Sequence, residues 1–599
     1  MADWPLGSSR APLLYTKSMS ALLYLRASLR RHAAIILAGI LFALCANSIA
    51  LLGPLILQQA IDSLGRTHPA LPLWQYALLF VAVALVQAVF SFSTRWSVNS
   101  VSHRIGYELR NRLFAHYQSL DLAFFQHNKV GDLVARSTND LNAVRMMLGP
   151  GISNLVNTAI AFVLTMGAMA FLDGRLTLLA GAFLPIMTVV FMLLGRRIER
   201  SFRRVQDRFG DLSSAAQENF SGIRVVKAYV QEDHEIAAFA RQSEGYLESS
   251  MRYIRLTAGL WPAMGLVAGL SLAVVLWVGG NDVIDGRLSL GQFVQFTSYL
   301  GQLAWPMIAL GWSFNLFQQG DASLKRVREV AERPPAIAER ARPVPAPRPR
   351  MAGAIEFQGV EVSYEGQTVL RDVNLRIPAG ATVAIVGPTG AGKTTLLSLL
   401  PRIVDPTRGR VLIDGVDVRD WPLETLRRDI GLVQQENFLF SVPLGENVAY
   451  GVEDATPEEI MAAATVAQLA RDVADFPHGF DTTVGERGVT LSGGQKQRTA
   501  IARAVMKRPR ILMLDDALSA VDTRTEEQIL RGLRGIMAER TALIVSHRVS
   551  TVRDADTIVV LDGGRIVERG THTQLVARGG VYAAMYRRQL LSEELDVDS

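Results

Sequence analysis

Between residues 383 and 395 the chain reads Val-Ala-Ile-Val-Gly-Pro-Thr-Gly-Ala-Gly-Lys-Thr-Thr. The apolar run Val383 to Val386 predicts a buried strand, and Leu396, Leu397, Leu399 and Leu400 beyond it predict a helix. The turn between them, Gly387-Pro388-Thr389-Gly390-Ala391-Gly392-Lys393-Thr394-Thr395, has P-loop spacing in the strand–turn–helix context that a P-loop requires. Glycines there let successive backbone N–H groups turn inward on phosphate oxygens, and the helix N-terminus adds partial positive charge. Lys393 would reach the β- and γ-phosphates of ATP, while the Thr394 hydroxyl would meet Mg²⁺. A chance glycine turn before a helix is the competing account. It does not explain why a lysine and a threonine both stand where phosphate chemistry needs them.

Further stretches carry compatible chemistry. Ile511-Leu512-Met513-Leu514 predicts a buried strand that leaves Asp515 at its C-terminal end, where parallel α/β sheets bind ligands, and a carboxylate there would hold Mg²⁺. Leu491-Ser492-Gly493-Gly494-Gln495 opens a helix with a hydroxyl and two flexible glycines, the composition of an anion site. Tyr364, in an early strand, offers a flat ring for stacking on adenine.

These elements occupy only part of the chain. Its 599 residues are too many for one core, and the 49% apolar content is concentrated in long runs of the N-terminal half. Six segments, near 33–61, 72–98, 141–171, 175–198, 258–282 and 290–318, reach the ~20 residues a membrane-crossing helix needs. Arginines and lysines gather in the two long loops between them (Arg104, Arg110, Arg112, Lys129 and Arg136; then Arg196 to Lys227), whereas the short loops carry little beyond Arg66, Arg175 and Arg287. The positive-inside rule then puts both termini and both long loops in the cytoplasm of a multi-pass inner-membrane protein. The net charge of +6 forms no stripe, so nucleic acid is not expected as a partner. Cys45 is the only cysteine, which excludes disulfides within the chain. No cleavable leader is evident. The first apolar run follows Arg26, Arg30 and Arg31 and is long enough to span.

The long loops keep helical spacing over 99–120 and 199–219, so the spans should continue well past the bilayer. Each loop then breaks, at Phe124–Leu133 and at Glu218–Ala228. Apolar residues at those tips have no lipid to face and need a protein surface. Residues 19–32 predict an interfacial helix, and the Pro-rich stretch 333–352 predicts a linker. The expected division is therefore a tail and elbow at 1–32, a membrane domain at 33–332, the linker at 333–352 and an ATPase domain at 353–599. Polar residues within the spans are mostly amides (Asn47, Gln87, Asn157, Gln295), with Arg95 the main charge. No row of buried acids suggests proton coupling.

Taken in order, the P-loop, Leu491–Gln495, Ile511–Asp516, Ser519-Ala520-Val521-Asp522 and Ser546-His547 resemble the nucleotide-binding domain of an ABC transporter. With six spans ahead of it, residues 19–590 resemble a half-size ABC exporter. The implied fold class is an α-helical membrane domain of exporter type, its six helices extending into the cytoplasm, plus an α/β P-loop ATPase domain. The resemblance implies that Gln435 senses Mg²⁺ and the attacking water, and that Phe438 and Phe440 offer a groove for a loop tip. It implies that His547 contacts the γ-phosphate, that Asp522 ties two sites together, and that Ser492-Gly493-Gly494-Gln495 closes on ATP held by a second subunit.

One position departs from the pattern. The residue after Asp515 is usually Glu in this family and polarises the attacking water; here it is Asp516. A shorter carboxylate sets the charge back by ~1 Å, which can cost on the order of 100-fold in rate. Such an Asp resembles the impaired-site subunit of heterodimeric exporters, whose intact signature stretch serves a Glu-bearing partner. Retention of His547 argues against full impairment, and a homodimer with slow turnover is the alternative. The cargo implied is an amphipathic drug, lipid or peptide, with membrane lipid around the spans. A soluble ATPase is opposed by the six spans and a gated channel by the lack of any regulatory insertion.

Overall fold

The structure is a computed structural model that describes residues 24–64, 71–339 and 350–597 apart from Glu486, Arg487 and Val489. The expected tail and the centre of the linker lie outside the described residues, as do residues 19–23 of the expected elbow, of which Arg26–Arg31 is helical. Two compact units emerge. One holds residues up to Gln118 with Lys129–Arg333, and the other holds Ser119–Asn128 with the residues from Pro334 onward.

The first unit is all helix. Ala33–Leu64, Leu73–Ser119, Val130–Leu172, Gly174–Ser221 and Glu232–Ile284 are long and apolar enough to cross a membrane. The sixth, Leu290–Ala331, has the length at 42 residues but is diluted by Gln292, Gln295 and Gln302. At 1.5 Å per residue the 47-residue helix Leu73–Ser119 is about 70 Å long, more than twice a hydrocarbon core of ~30 Å. The expectation that the spans run past the bilayer is met in this element and in Phe183–Ser221.

Amides join the helices, as hydrocarbon demands of any buried polar group. Asn47 donates to Asn157 Oδ1 at 2.8 Å. Gln295 donates to the Tyr299 hydroxyl at 3.1 Å, which donates to the Leu51 carbonyl at 2.8 Å. Two acids not singled out in the sequence also tie elements together: Asp62 accepts from Ser289 Oγ and from the Gly291 N–H, and buried Asp282 pairs with Arg287 at 2.8 Å. Gly149 lies against Ser102, where an added Cβ would come within 2.6 Å of the hydroxyl.

The second unit carries two sheets. A four-stranded antiparallel sheet has the order β2-β1-β4-β5, with β1 Ile355–Tyr364, β2 Gln367–Ile377, β4 Arg408–Ile413 and β5 Val416–Asp417. A six-stranded sheet has the order β10-β9-β3-β8-β7-β6. Its strands are β3 Thr382–Val386, β6 Ile430–Val433, β7 Ile511–Asp515, β8 Thr541–Val545, β9 Thr557–Asp562 and β10 Arg565–Gly570. Pairing is parallel from β9 through β3, β8 and β7 to β6, so the loops after β3, β6, β7 and β8 leave one edge together. Every residue of β7 and of β8 is buried, which explains their unbroken apolar runs.

The two loop tips behave differently. Ser119–Asn128 packs as part of the second unit, with Phe124 only 2% exposed and His127 hydrogen-bonded to the Glu365 carboxylate. The tip around the short helix Ile223–Ala228 stays open, with Phe220 at 76% and Val225 at 61% exposure.

Candidate functional site

The four parallel-strand loops enclose an open cavity of about 250 Å³. Thr389, Gly390, Gly392, Lys393, Thr394 and Thr395 line it from β3, Gln435 from β6, Asp515 and Asp516 from β7, and His547 from β8. Residues up to 160 positions apart thus converge because the parallel register brings their strand ends to one edge.

The P-loop backbone is held open by glycine. Gly387 has φ 153°, and a Cβ there would meet the Leu561 carbonyl oxygen at 2.0 Å, so no other residue fits. Gly387, Pro388 and Ala391 shape the loop without lining the cavity. Lys393 is buried, and its Nζ donates to the carbonyl oxygens of Gly387 and Pro388 at 2.9 Å each. Burial pushes its ammonium down from the usual range while Asp515 and Asp516 pull it back up. Burial raises the Asp515 carboxyl, Asp516 adds to that, and a hydrogen bond to Thr394 together with Lys393 and His547 opposes it. A cavity lined by a buried lysine, two carboxylates and a glycine-rich turn is matched to a triphosphate. The oxygen donors Thr394, Gln435 and Asp515 are the hard set that Mg²⁺ prefers, and all three line the one cavity.

Asp516 occupies the left-handed region at φ 47°, its N–H held by the Val545 carbonyl at 2.9 Å. Aspartate tolerates that conformation better than most side chains, and nothing in the sequence announced it. Tyr364 ends β1 at 38% exposure and does not line the cavity, although Val369 of the adjoining strand does.

Ser492, Gly493, Gly494 and Gln495 do not line this cavity. Ser492 caps the helix Gly493–Met506, accepting from the Gln495 N–H, while the Gln495 side chain accepts from the Ser492 N–H. Asp522 caps Thr523–Met537 through the Thr525 N–H at 2.9 Å, and that bond keeps its carboxyl below the ordinary range.

Sequence reasoning missed the residues that brace these loops. Arg498 makes a forked pair with Asp472. Buried Glu526 accepts from Arg548, the neighbour of His547, and from Thr551 Oγ1 at 2.5 Å, while Arg548 also reaches the Val521 carbonyl. Glu526 showed in the sequence only as an acid in a helix's first turn; its partners are a product of the tertiary fold.

Comparison with known proteins agrees with this architecture. The profile of the ABC transporter transmembrane region matches residues 36–307, and the ABC transporter profile matches 370–519. A probable multidrug resistance ABC transporter ATP-binding/permease protein, YheI of Bacillus subtilis (strain 168), is 37% identical over 92% of this chain and 95% of its own. The chain belongs to the ABC transporters. Within this family it is also similar to the ATP-dependent lipid A-core flippase of Syntrophus aciditrophicus (strain SB), at 35% identity over 90% of each chain. A solved bacterial Atm1-family ABC exporter with ATP bound matches with a TM-score of 0.78 at 30% identity, covering 94% of this chain and 99% of that one. This ABC transporter is thus a half-transporter, a helical membrane region of exporter type fused to an ATPase whose hydrolysis is coupled to transport.

Proposed function

We propose that the chain is one subunit of an ATP-driven exporter that moves amphipathic drugs, lipids or peptides out of the cytoplasm or inner leaflet. It works beside a different subunit that carries Glu where this chain has Asp516. The observation that carries the reading is the separation of the signature stretch from its own P-loop: Ser492 to Gln495 line no part of the cavity holding Lys393. An anion site at a helix N-terminus, away from any phosphate of its own chain, is suited to ATP on a second chain. The exposed tip at Phe220–Val225 supports the same view, because apolar surface of that kind also calls for a partner. Relatives named as multidrug and lipid A-core transporters support the substrate class.

ATP binds across Tyr364, the P-loop and the partner's signature stretch, and Thr394, Gln435 and Asp515 would hold Mg²⁺, which neutralises phosphate charge when bound. His547 orients the γ-phosphate, and Asp516 faces the attacking water from too far back. Closure of the two ATPase domains pulls on the loop tips, and the membrane helices switch from inward- to outward-facing. Both termini lie in the cytoplasm, the linker occupies 333–352, and no nucleic acid takes part.

Purification of the chain expressed alone tests the assembly. The proposal expects no stable dimer with substrate-stimulated hydrolysis. A stable dimer whose ATPase rises with substrate and is lost on Asp516→Asn establishes the homodimer instead.

A further inference from the structure

We propose that Gln589, on the last helix of the chain, is a positioning residue for His547, a role that rests on the reading of His547 as the group that orients the γ-phosphate. His547 follows β8 and lines the P-loop cavity with its side chain exposed. Among the described residues its ring makes no hydrogen bond, so the ring takes its place from the backbone on either side. That backbone is tied to distant elements. Ser546 Oγ accepts the Arg548 N–H at 3.0 Å, and the Arg548 guanidinium is held by buried Glu526 and by the Val521 carbonyl beside Asp522. On the other side, the Val549 N–H donates to Gln589 Oε1 at 2.7 Å.

Buried Val549 opens the short helix Val549–Val552, whose first residue outside, Arg548, gives no side-chain cap. The first N–H groups of a helix find no partner within it, and a buried one left unmet is costly. Gln589 supplies, from 40 positions away, an acceptor that the segment's own side chains do not. The helix start two residues after His547 is thereby pinned to the end of the chain.

The element that carries Gln589 is firmly seated. The helix Val581–Val597 begins on Glu568, whose carboxylate accepts from the N–H groups of Val581 and Tyr582 at 2.6 and 3.1 Å. Tyr582 is buried in one core with Val549 and Val552, and its hydroxyl is hydrogen-bonded to His572 Nδ1 at 2.7 Å. Tyr582, Tyr586 and Gln589 recur at i, i+4 and i+7, which is one face of a helix. An apolar residue is the ordinary occupant of that third position; the polar one present places its carbonyl on the segment that carries His547. Gln589 touches neither the P-loop nor Asp515, so its loss should slow γ-phosphate chemistry and leave nucleotide binding alone.

Photolabelling of this chain by 8-azido-ATP in the full transporter tests the role. Labelling in the cold reads binding at the site built on Lys393, and vanadate-trapped labelling reads hydrolysis there. Gln589→Leu should lower the trapped label by about tenfold and leave the cold label at the native level. Gln589→Glu, which keeps an acceptor on the same stem, should recover the trapped label. In the His547→Ala background Gln589→Leu should lower it no further, because the imidazole it places is gone. Native trapping in Gln589→Leu while His547→Ala is depressed overturns the proposal alone. Native trapping in His547→Ala overturns the reading of that histidine and the proposal with it. Parallel loss of cold and trapped label, or a further loss in the double variant, marks a merely structural residue and also overturns it. Should Gln589→Leu fail to accumulate, Gln589→Ala must show the same split for the proposal to stand.

Discussion

The Gln497 side chain, in the helix opened by Ser492, donates to Ser519 Oγ at 3.0 Å, and its carbonyl accepts the Ala520 N–H at 2.9 Å. The stretch that would meet a neighbour's ATP is thereby fastened to the loop that follows Asp515 and Asp516. Replacing buried Gln497 by Leu leaves a backbone donor unsatisfied, at a cost of about 1–3 kcal/mol. Denaturant unfolding should register that loss. ATPase in the assembled transporter should fall even though no residue of the P-loop cavity has changed.

Asp516→Glu restores the longer carboxylate and should raise hydrolysis at the site built on Lys393 by about 10-fold or more in the complete transporter, read as single-turnover phosphate release. Because residue 516 sits at φ 47°, the variant should also lose a little stability, below about 1 kcal/mol. ATP affinity should not move.

Burial makes the charge of Asp515 a cost to stability. Burial holds its folded carboxyl above the unfolded range, so its favourable contribution is complete below the unfolded value and is lost as pH rises through the folded one. Nucleotide-free Asp515→Asn should therefore melt above the native protein near neutral pH, with the difference closing under acidic conditions. The same variant should gain nothing from Mg²⁺ and ATP.

The two loop tips should separate stability from coupling. Phe124 is buried, and Phe124→Ala should cost on the order of 3 kcal/mol locally and abolish substrate stimulation of ATPase. Phe220 is exposed in the single chain, so Phe220→Ala should leave the melting of separated chains alone and weaken only the assembled transporter.

Much of this was readable from residue order, for reasons that lie in local physics. A P-loop needs its glycines and Lys393 adjacent in sequence, and apolar runs of membrane length have few other uses. Asp516 was legible as a shortened carboxylate but not as a left-handed residue, because that conformation is set by the Val545 carbonyl across the sheet. The burial of Phe124 was anticipated as a need for some protein surface. Its pairing partner at the tip, Glu365 with His127, joins residues 238 positions apart and no local pattern encodes it. The Glu526–Arg548 brace was invisible for the same reason.

The two-chain ATP site is tested most directly by a benzophenone side chain at position 492, photoactivated in membranes with ATP trapped. The account predicts an adduct between two polypeptides, dependent on ATP, in which the partner's tryptic peptide contains its P-loop. An adduct to this chain's own Gly387–Thr395 peptide, or labelling by solvent alone with ATP bound, contradicts it.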